Sequence, residues 1–180
     1  MNDSDAIRFR PLTMDDLPLM LRWLCAPHVR KWWPDGPNTL RGVTAKYAPR
    51  IAGELPTRCF VIEYCNRPAG FIQVYRLRDY PEYNRHIQAP DNYAGIDLFI
   101  GDPGLVGRSI GTRAVVSFLR SVVFANPSTR ACAIGPEQAN HRAIRAYEKA
   151  GFHYWKTVAV PHERSPEYVM LIQREDLMRR

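Results

Sequence analysis

A glycine-rich stretch between Asp97 and Leu119 has the composition of an anion-binding turn. An apolar segment ending at Ile100 is followed by a Gly/Pro turn and by Val106-Gly-Arg-Ser-Ile-Gly-Thr112, which opens an amphipathic helix. Glycine lets the backbone approach a ligand closely, and the first N–H groups of a helix, with its positive dipole end, favour negative charge. The stretch therefore predicts a phosphate or pyrophosphate site, to which Arg108 adds a side-chain cation.

The spacing of these glycines differs from two common phosphate-binding motifs. A P-loop requires Gly-x-x-x-x-Gly-Lys-Ser/Thr, and a dinucleotide fold requires Gly-x-Gly-x-x-Gly with an acidic residue about twenty positions further on. Neither pattern is present in the chain. Taken alone, the segment is also compatible with an ordinary helix entry that uses glycine in its turn.

Length and composition predict a single globular domain covering residues 1–180. The sequence shows no apolar run of about 18 residues and no signal peptide, so we expect a soluble cytoplasmic protein without a membrane partner. No metal-ligand spacing connects the cysteines, which we interpret as reduced and mostly packed, so no metal site is expected. They are Cys25, Cys59, Cys65 and Cys132.

The formal net charge of +7 raises the question of a polyanionic partner such as nucleic acid. No helix-turn-helix or ribonucleoprotein motif supports that partner, and we expect none. The charges are instead divided along the chain, because acidic residues dominate residues 79–102 and basic residues dominate residues 108–149. This division suits a phosphate ligand on one side of a site and a cationic amine on the other, although solvated surface charge is the structural alternative.

Hydrophobic periodicity predicts one mixed α/β unit. Strands are predicted at Ile7–Leu12, Arg58–Tyr64, Gly70–Tyr75, Tyr93–Ile100, Thr129–Ile134, Phe152–Val160 and Glu167–Gln173. Helices are predicted after a Thr13 cap with Leu17, Met20, Leu21 and Leu24 buried, and at Thr39–Ile51, Ser109–Phe124 and Asn140–Ala150. Leu77–Asn92 is predicted to be a long exposed loop, and loops of that length are often functional.

A second motif follows the glycine-rich turn in the segment from Asn140 to Phe152. In the GNAT superfamily of N-acetyltransferases this region reads Asn-x-x-Ala-x-x-x-Tyr-x-x-x-Gly-Phe, and the chain matches it at Asn140, Ala143, Tyr147, Gly151 and Phe152. The glycine-rich turn resembles the acetyl-CoA loop of the same superfamily, Gln/Arg-x-x-Gly-x-Gly/Ala. The two motifs stand in the expected order, so the chain resembles this superfamily throughout most of its length.

The resemblance implies a mixed α/β fold of GNAT type. Its central sheet would have six to seven mostly antiparallel strands, splayed at a parallel pair, with about four flanking helices. Within the superfamily, Trp32-Trp33, Tyr47, Gly95-Ile96-Asp97 and residues 142–152 resemble aminoglycoside 6'-N-acetyltransferases. The resemblance therefore implies acetyl-CoA as cofactor and direct acetylation, in a ternary complex, of a cationic amine such as the aminoglycoside 6'-amine.

The same resemblance assigns catalytic roles to Asp97 and Tyr147. Asp97 would hold the substrate ammonium and act as general base, whereas a strand-end residue paired with a loop cation is the structural alternative. Tyr147 would protonate or hydrogen-bond the leaving sulfur, and a buried core tyrosine is its alternative. A covalent cysteine route is not expected, because Cys132 falls in a predicted core strand.

The predicted binding residues fall into two sets. For acetyl-CoA they are Phe99, Ile100, Val106, Gly107, Arg108, Ser109, Ile110, Gly111, Thr112, Asn140, Ala143 and Tyr147. For the amine they are Trp33, Tyr47, Gln73, Asp79, Glu82, Asp91, Tyr93 and Asp97. The carboxylates would hold further amines of a polycation, and the aromatic residues would shape the cavity, although an aromatic pair such as Trp32-Trp33 is more often part of a core.

Two departures from the family pattern leave other functions open. Ser109 replaces a loop glycine, and Gly135 stands where the resembling resistance enzymes usually carry a substrate-holding aspartate. The enzymatic alternatives are acylation of a hydroxylysine siderophore precursor or of a protein amine. The non-enzymatic alternative is a CoA-binding regulatory module. The sequence leaves a monomer and a homodimer equally open.

Overall fold

The computed structural model describes residues 7–34, 36–159 and 166–179. In these ranges the strands are β1 (Ile7–Pro11), β2 (Arg58–Tyr64), β3 (Arg67–Arg76), β4 (Tyr93–Ile100), β5 (Ala131–Ile134), β6 (His153–Val158) and β7 (Glu167–Gln173). The helices are α1 (Leu17–Cys25), α2 (Pro27–Arg30), α3 (Leu40–Ile51), α4 (Pro81–Ile87), α5 (Ile110–Phe118), α6 (His141–Ala150) and α7 (Arg174–Met178). All seven predicted strands are therefore confirmed, apart from Val160 at the end of one, which lies outside the described residues.

The seven strands of the described ranges form one sheet in the order β1-β2-β3-β4-β5-β7-β6. The pairs β1–β2, β5–β7 and β6–β7 are antiparallel, whereas β4 and β5 are parallel. Parallel pairing joins Tyr93–Gly95 to Ala131–Ala133, and β4 runs on to Ile100. The predicted mixed sheet with one parallel pair is confirmed.

The chain divides into two compact units. Unit 1 consists of Met1–Gln73 and Leu98–Gly111, and unit 2 consists of Val74–Asp97 and Thr112–Arg180. Each has its own cluster of buried apolar side chains. No helix within the described ranges has both the length and the apolar character needed to cross a membrane. That residues 1–180 act as one acetyltransferase domain stays a prediction.

The core of unit 1 follows the apolar periodicity of its first and third helices. Leu17, Met20 and Leu24 recur at helical spacing along α1 and are buried, as predicted. Val43 and Tyr47 of α3 join the same cluster. The cluster also includes Trp23, Val61, Phe71 and Phe99.

The entry to α1 is fixed by an ion pair and a capping interaction. Asp16 accepts two hydrogen bonds of 2.7 Å from the Arg10 guanidinium and further bonds from the backbone N–H and hydroxyl of Thr13, each at 2.9 Å. The predicted Thr13 cap is thus confirmed, with Asp16 closing the capping box. The hydrogen bond from Arg10 holds the pKa of Asp16 below its usual range.

Asp16→Asn should lower the free energy of unfolding by about 1–2 kcal/mol at pH 7, because hydrogen bonds from a charged, partly exposed partner are lost. Asp16 has a lowered pKa in the folded state, so its contribution is present above the unfolded pKa and disappears as the pH falls below about 4. Urea unfolding at pH 7 and pH 3 measures both effects. The exposed neighbour in Asp15→Asn is the matched control, and equal losses in the two variants would contradict the assignment.

The segment predicted to be an exposed loop, Leu77–Asn92, is largely structured. Leu77–Asp79 forms a 3₁₀ turn and Pro81 begins α4. Proline at the first helical position has its φ angle preset for a helix, and burial of Leu77 and Ile87 attaches the segment to the core of unit 2. The prediction of a loop was wrong because a seven-residue helix is too short to show helical periodicity.

The helix predicted over Ser109–Phe124 is shorter and ends differently. Ser109 has a φ angle of +61°, so the helix begins at Ile110, and a wide turn over Leu119–Val123 follows α5. The prediction of about four helices describes the longer ones, α1, α3, α5 and α6. Among the described residues it misses α2, α4 and α7, which have four, seven and five residues.

Candidate active site

Asp97 is the charge around which several polar side chains of unit 2 are arranged. It lies on β4 and is half-buried. Burial raises the pKa of Tyr147, and the negative charge of Asp97 raises it further. Burial and then Asp97 also raise the pKa values of Tyr75 and Cys132. The structure therefore brings the two predicted catalytic residues, Asp97 and Tyr147, into one electrostatic neighbourhood.

The position of Tyr147 is set by two capping interactions at the ends of α6. Asn140 Oδ1 accepts a 3.2 Å hydrogen bond from the backbone N–H of Ala143, and Gly151 ends the helix with a φ angle of +105°. The Tyr147 ring lies 6.2 Å from the Phe152 ring, which is fully buried. With its pKa raised, the Tyr147 hydroxyl keeps its proton well above neutral pH and is a hydrogen-bond donor there.

Tyr75 approaches Asp97 because β4 carries a glycine next to its ring. A Cβ atom at Gly95 would lie 2.7 Å from two ring carbons of Tyr75. The ring also packs edge to face against Tyr80 at 5.2 Å. Only glycine at position 95 therefore allows this aromatic wall beside the candidate base.

Cys132 lies in the fully buried part of β5, as predicted. Burial, with Asp97 as a second cause, raises the pKa of its thiol well above the usual range. Cysteine attacks as the thiolate, which these surroundings disfavour. The site therefore favours direct attack by an amine over a covalent cysteine route.

The glycine-rich turn in unit 1 contains two left-handed residues just before α5 begins. Gly107 and Ser109 have φ angles of +83° and +61°, and a Cβ atom at Gly107 would find open space. The N–H groups of Val106 and Arg108 donate within the turn, to the carbonyls of Pro103 at 3.3 Å and Leu105 at 3.4 Å, so these two are not aimed at a ligand. Arg108, between Gly107 and Ser109, is exposed, and Ile110 begins α5. The exposed Arg108 side chain and the first N–H groups of α5 therefore fit a diphosphate group.

Two predicted cofactor residues, Phe99 and Ile100, lie at the end of β4 that belongs to unit 1. Phe99 packs in the core, and the carbonyl oxygen of Ile100 lies 3.0 Å from His28 Nε2. Gly101 donates its N–H to Ala69 of β3 at 2.9 Å. His28 thus holds a backbone carbonyl that we predicted to lie beside the cofactor, and no local pattern around residue 28 indicated this contact.

The predicted cofactor residues of unit 2 lie at the starts of α5 and α6. Thr112 donates from its hydroxyl to the carbonyl of Ala146 at 3.2 Å, which ties the two helices together. Asn140 uses its side-chain oxygen as the cap of α6, and Ala143 is half-buried on the same helix. The amide NH₂ of Asn140 points to no acceptor among the described residues and remains suited to a ligand carbonyl.

The substrate residues predicted in unit 1 lie among aromatic rings. Trp33 is half-buried and packs edge to face on Phe71 and Phe99. Tyr47 is fully buried and packs on Phe71 at 5.5 Å, so the structure places it in the core. Gln73 is half-buried, with its side-chain oxygen 3.9 Å from the sulfur of Cys59. For Tyr47, burial favours a structural role over direct contact with a ligand.

The structure does not gather the acidic residues predicted to hold further amines. Asp79 pairs with Arg76 at 3.0 Å and with Arg78 at 3.7 Å. Glu82 is 84% exposed and pairs with Arg85 at 2.6 Å, and Asp91 is exposed. The expectation of partly desolvated carboxylates is therefore wrong for Glu82 and Asp91, because Glu82 on the first turn of α4 and Asp91 in the turn before β4 both face solvent. Tyr93, an aromatic residue predicted to shape the cavity, is half-buried against Trp155.

Residues 13–160 match the acetyltransferase (GNAT) domain family. The chain therefore belongs to the GNAT acetyltransferase domain family, and it is an acetyltransferase. Membership confirms the resemblance that the two sequence motifs indicated.

Several proteins to which the chain is similar are aminoglycoside acetyltransferases. The chain is 28% identical over 162 residues to the aminoglycoside N(6')-acetyltransferase type 1 of Klebsiella pneumoniae, covering 89% of this chain and 80% of that protein. The crystal structure of aminoglycoside acetyltransferase AAC(6')-Ib with coenzyme A matches with a TM-score of 0.86 and 26% identity, covering 97% and 98% of the two chains. Its complex with paromomycin and acetyl-CoA matches with a TM-score of 0.87 and 27% identity, covering 97% of each chain. The GNAT-like fold is thus confirmed.

Proposed function

We propose that this chain transfers the acetyl group of acetyl-CoA to the 6'-amine of an aminoglycoside. The observation that carries the proposal is the proximity, within unit 2, of the Asp97 carboxylate to the protonated hydroxyl of Tyr147. A base for the amine and a donor for the leaving group are the two groups that acyl transfer to an amine requires. The choice of substrate is supported by the aminoglycoside acetyltransferases to which the chain is similar.

Asp97 acts on the amine before and during attack. A primary ammonium group has no free electron pair, and a carboxylate favours binding of this cation and then accepts its proton, directly or through water. The residue is half-buried on β4, where partial removal of water strengthens its attraction for a cation. Asp97 therefore both orients the nucleophile and removes its proton.

Tyr147 acts on the leaving group. Acetyl-CoA supplies a thioester carbonyl for attack. Because burial and Asp97 keep the proton on Tyr147 Oη, the hydroxyl donates a hydrogen bond to sulfur as negative charge develops there. The rigid ends of α6 hold the ring in place for this contact.

The residues that would hold the cofactor are those whose backbone and side chains fit its groups. In unit 1, the first N–H groups of α5 would bind the diphosphate, Arg108 would add charge, and β4 would pair with the pantetheine arm. They are Phe99, Ile100, Val106, Gly107, Arg108, Ser109, Ile110 and Gly111. In unit 2, Thr112 would extend the turn, Asn140 would bind an amide carbonyl, and Ala143 and Tyr147 would line the arm.

The remaining assignments complete the proposal. In unit 1, Trp33 and Gln73 would contact the aminoglycoside, and in unit 2 Asp79 and Tyr93 would do so. We further propose that residues 1–180 act as one acetyltransferase domain, in the cytoplasm, as a monomer or homodimer and without nucleic acid or membrane partners. Size-exclusion chromatography with light scattering, run with and without acetyl-CoA, distinguishes the two oligomeric states.

A thiol-release assay tests the reaction. The purified chain is given acetyl-CoA and, in separate reactions, one of two aminoglycosides that differ only in an amine or a hydroxyl at C6'. Hydroxylysine and a lysine peptide are tested in the same way as alternative substrates. We expect turnover on the 6'-amino compound alone. Turnover on hydroxylysine or the peptide would favour the other enzymatic functions, and binding of acetyl-CoA without thiol release would favour a regulatory module.

Tyr147→Phe should lower kcat by about 10- to 100-fold, the equivalent of one hydrogen bond to a developing charge. The pKa of Tyr147 is raised, so the wild-type donor stays protonated and kcat should show no loss near pH 10, where an ordinary tyrosine ionises. Steady-state rates between pH 7 and about pH 10 measure both. An unchanged kcat in the variant would assign Tyr147 to the core alone, and Tyr154→Phe, at an exposed ring, is the matched control.

A further inference from the structure

We propose that Glu167 is a second amine-binding carboxylate of the active site and that Gly135 is a glycine in order to admit it. The inference rests on the proposed function, because it assigns to Glu167 a second ammonium group of the same polycationic substrate. Glu167 is not among the site residues that the sequence motifs indicated.

The carboxylate of Glu167 lies over the Cα atom of Gly135. A Cβ atom at Gly135 would be 2.5 Å from Glu167 Oε2, which is closer than real contacts allow, and 3.2 Å from its carboxyl carbon, which is a tight contact, so the carboxylate would have to move. The φ angle of Gly135 is not in the left-handed region, so its backbone accepts a side chain. What excludes a side chain at position 135 is therefore the carboxylate that arrives from β7.

Gly135 and Asp97 lie at the same end of the parallel pair β4–β5, just beyond its last paired residues. The last paired residues of β4 and β5 are Gly95 and Ala133, and Asp97 and Gly135 each lie two residues further along. Ligands of α/β sheets bind at the carboxyl ends of parallel strands. The Glu167 carboxylate beside Gly135 therefore lies just beyond the end of β5, the strand that pairs with β4 and its candidate base Asp97. Glu167 itself belongs to β7 and is distant from both residues in sequence.

One tyrosine orients the Glu167 carboxylate, and a second lies near both Glu167 and Asp97. Tyr83 of α4 donates its hydroxyl to Glu167 Oε2 at 2.7 Å, which fixes the direction of the carboxylate. Tyr75 lies close enough to both acids that, after burial, the charges of Asp97 and Glu167 help to raise the pKa of its hydroxyl. Asp97 and Glu167 therefore both lie near the Tyr75 hydroxyl, which places two negative charges in one region of unit 2.

Two carboxylates in a half-buried region repel each other and favour a ligand that carries positive charge. A substrate with several amines meets this requirement, because one ammonium group binds at Asp97 and loses its proton while another remains charged at Glu167. A substrate with a single amine gains nothing from the second carboxylate. Glu167 would therefore select polyamines over simple amines, without taking part in the proton transfer.

The test measures KM for a 6'-amino aminoglycoside in Glu167→Gln, which keeps an oxygen for Tyr83 but removes the charge. We expect KM for the aminoglycoside to rise by about 10-fold or more, with KM for acetyl-CoA unchanged and a smaller rise in Tyr83→Phe. Glu175→Gln, at an exposed residue of α7, is the matched control and should leave both constants at the wild-type value. Thermal melting of each variant shows that it is folded.

A relocated carboxylate sharpens the test. Gly135→Asp alone places two carboxylates in contact and should raise KM, whereas Gly135→Asp combined with Glu167→Ala should restore KM to within about 3-fold of wild type. The neutral combination of Gly135→Asn with Glu167→Ala should not. If wild type turns over aminoglycosides and Glu167→Gln or the relocated carboxylate leaves KM at odds with these expectations, the role of Glu167 is overturned while the proposed function stands. Absence of any aminoglycoside turnover by wild type overturns both.

Discussion

Asp97→Asn is expected to lower kcat/KM for the amine substrate by about 10²- to 10⁴-fold, the range that general base catalysis contributes. Asparagine has the shape of aspartate, so the fold of β4 is preserved, but its neutral amide neither attracts an ammonium group nor accepts its proton. The loss should appear in both kcat and KM, because in the proposed mechanism Asp97 first binds the ammonium group and then accepts its proton. Steady-state kinetics with the 6'-amino aminoglycoside measures the two constants separately.

Three further measurements separate catalysis from folding in this variant. Calorimetric titration should give an unchanged affinity for acetyl-CoA, because the proposed mechanism assigns Asp97 to the amine and not to the diphosphate. The pKa of Tyr147 should fall towards its ordinary value, since one of the two causes that raise it has been removed. Asp15→Asn, a change of the same chemistry at an exposed residue, should keep wild-type kinetics. A variant with full activity would remove Asp97 from the mechanism.

The long elements were predictable because their signals are local. Thr39 caps α3 by accepting a 3.1 Å hydrogen bond from the N–H of Gly42, and Gly151 ends α6 in a left-handed conformation. Cys65 and Asn66, both with positive φ, form the two-residue turn between β2 and β3. Each of these features depends on residues close together in the chain. The short helices depend instead on tertiary burial, which composition over four to seven residues does not record.

The candidate site was predictable only as far as its motifs extend. Asp97 and Tyr147 are identified by the residues around them, and the structure brings both into unit 2. Glu167 meets Tyr83, 84 positions earlier in the chain, and His28 meets the carbonyl of Ile100, 72 positions later. No sequence window contains both partners of such contacts, so their roles emerge only from the fold.

Glycines were the residues whose roles the sequence least revealed. A glycine in a strand is consistent with a bulge, a bend or a close approach, and sequence alone does not distinguish these. In the structure, Gly95 admits the ring of Tyr75 and Gly135 admits the carboxylate of Glu167. At both positions the missing side chain leaves room for the side chain of another residue. A substitution by a larger residue therefore tests directly whether that close packing is required.

Gly70→Ala should strongly destabilise unit 1. A Cβ atom at Gly70 would lie 2.3 Å from the carbonyl oxygen of Phe99 and 3.0 Å from the Cα atom of Ile100. Both are backbone atoms, so no side-chain rotation relieves the contact, and β3 or β4 must move. We expect a loss of about 3 kcal/mol, equivalent to a fall in Tm of roughly 6–12 °C.

Differential scanning calorimetry measures this loss, and Gly111→Ala is the matched control. At Gly111 the nearest atom to a new Cβ is 3.8 Å away, and alanine within α5 should raise stability by about 0.5–1 kcal/mol. Opposite shifts of Tm in the two variants would establish that close backbone approach, and not glycine as such, is required at residue 70. Because the displaced atoms belong to Phe99 and Ile100, KM for acetyl-CoA should rise in Gly70→Ala at temperatures where it remains folded. Equal Tm values for wild type and Gly70→Ala would show that β3 and β4 do not approach as closely as the carbonyl contact requires.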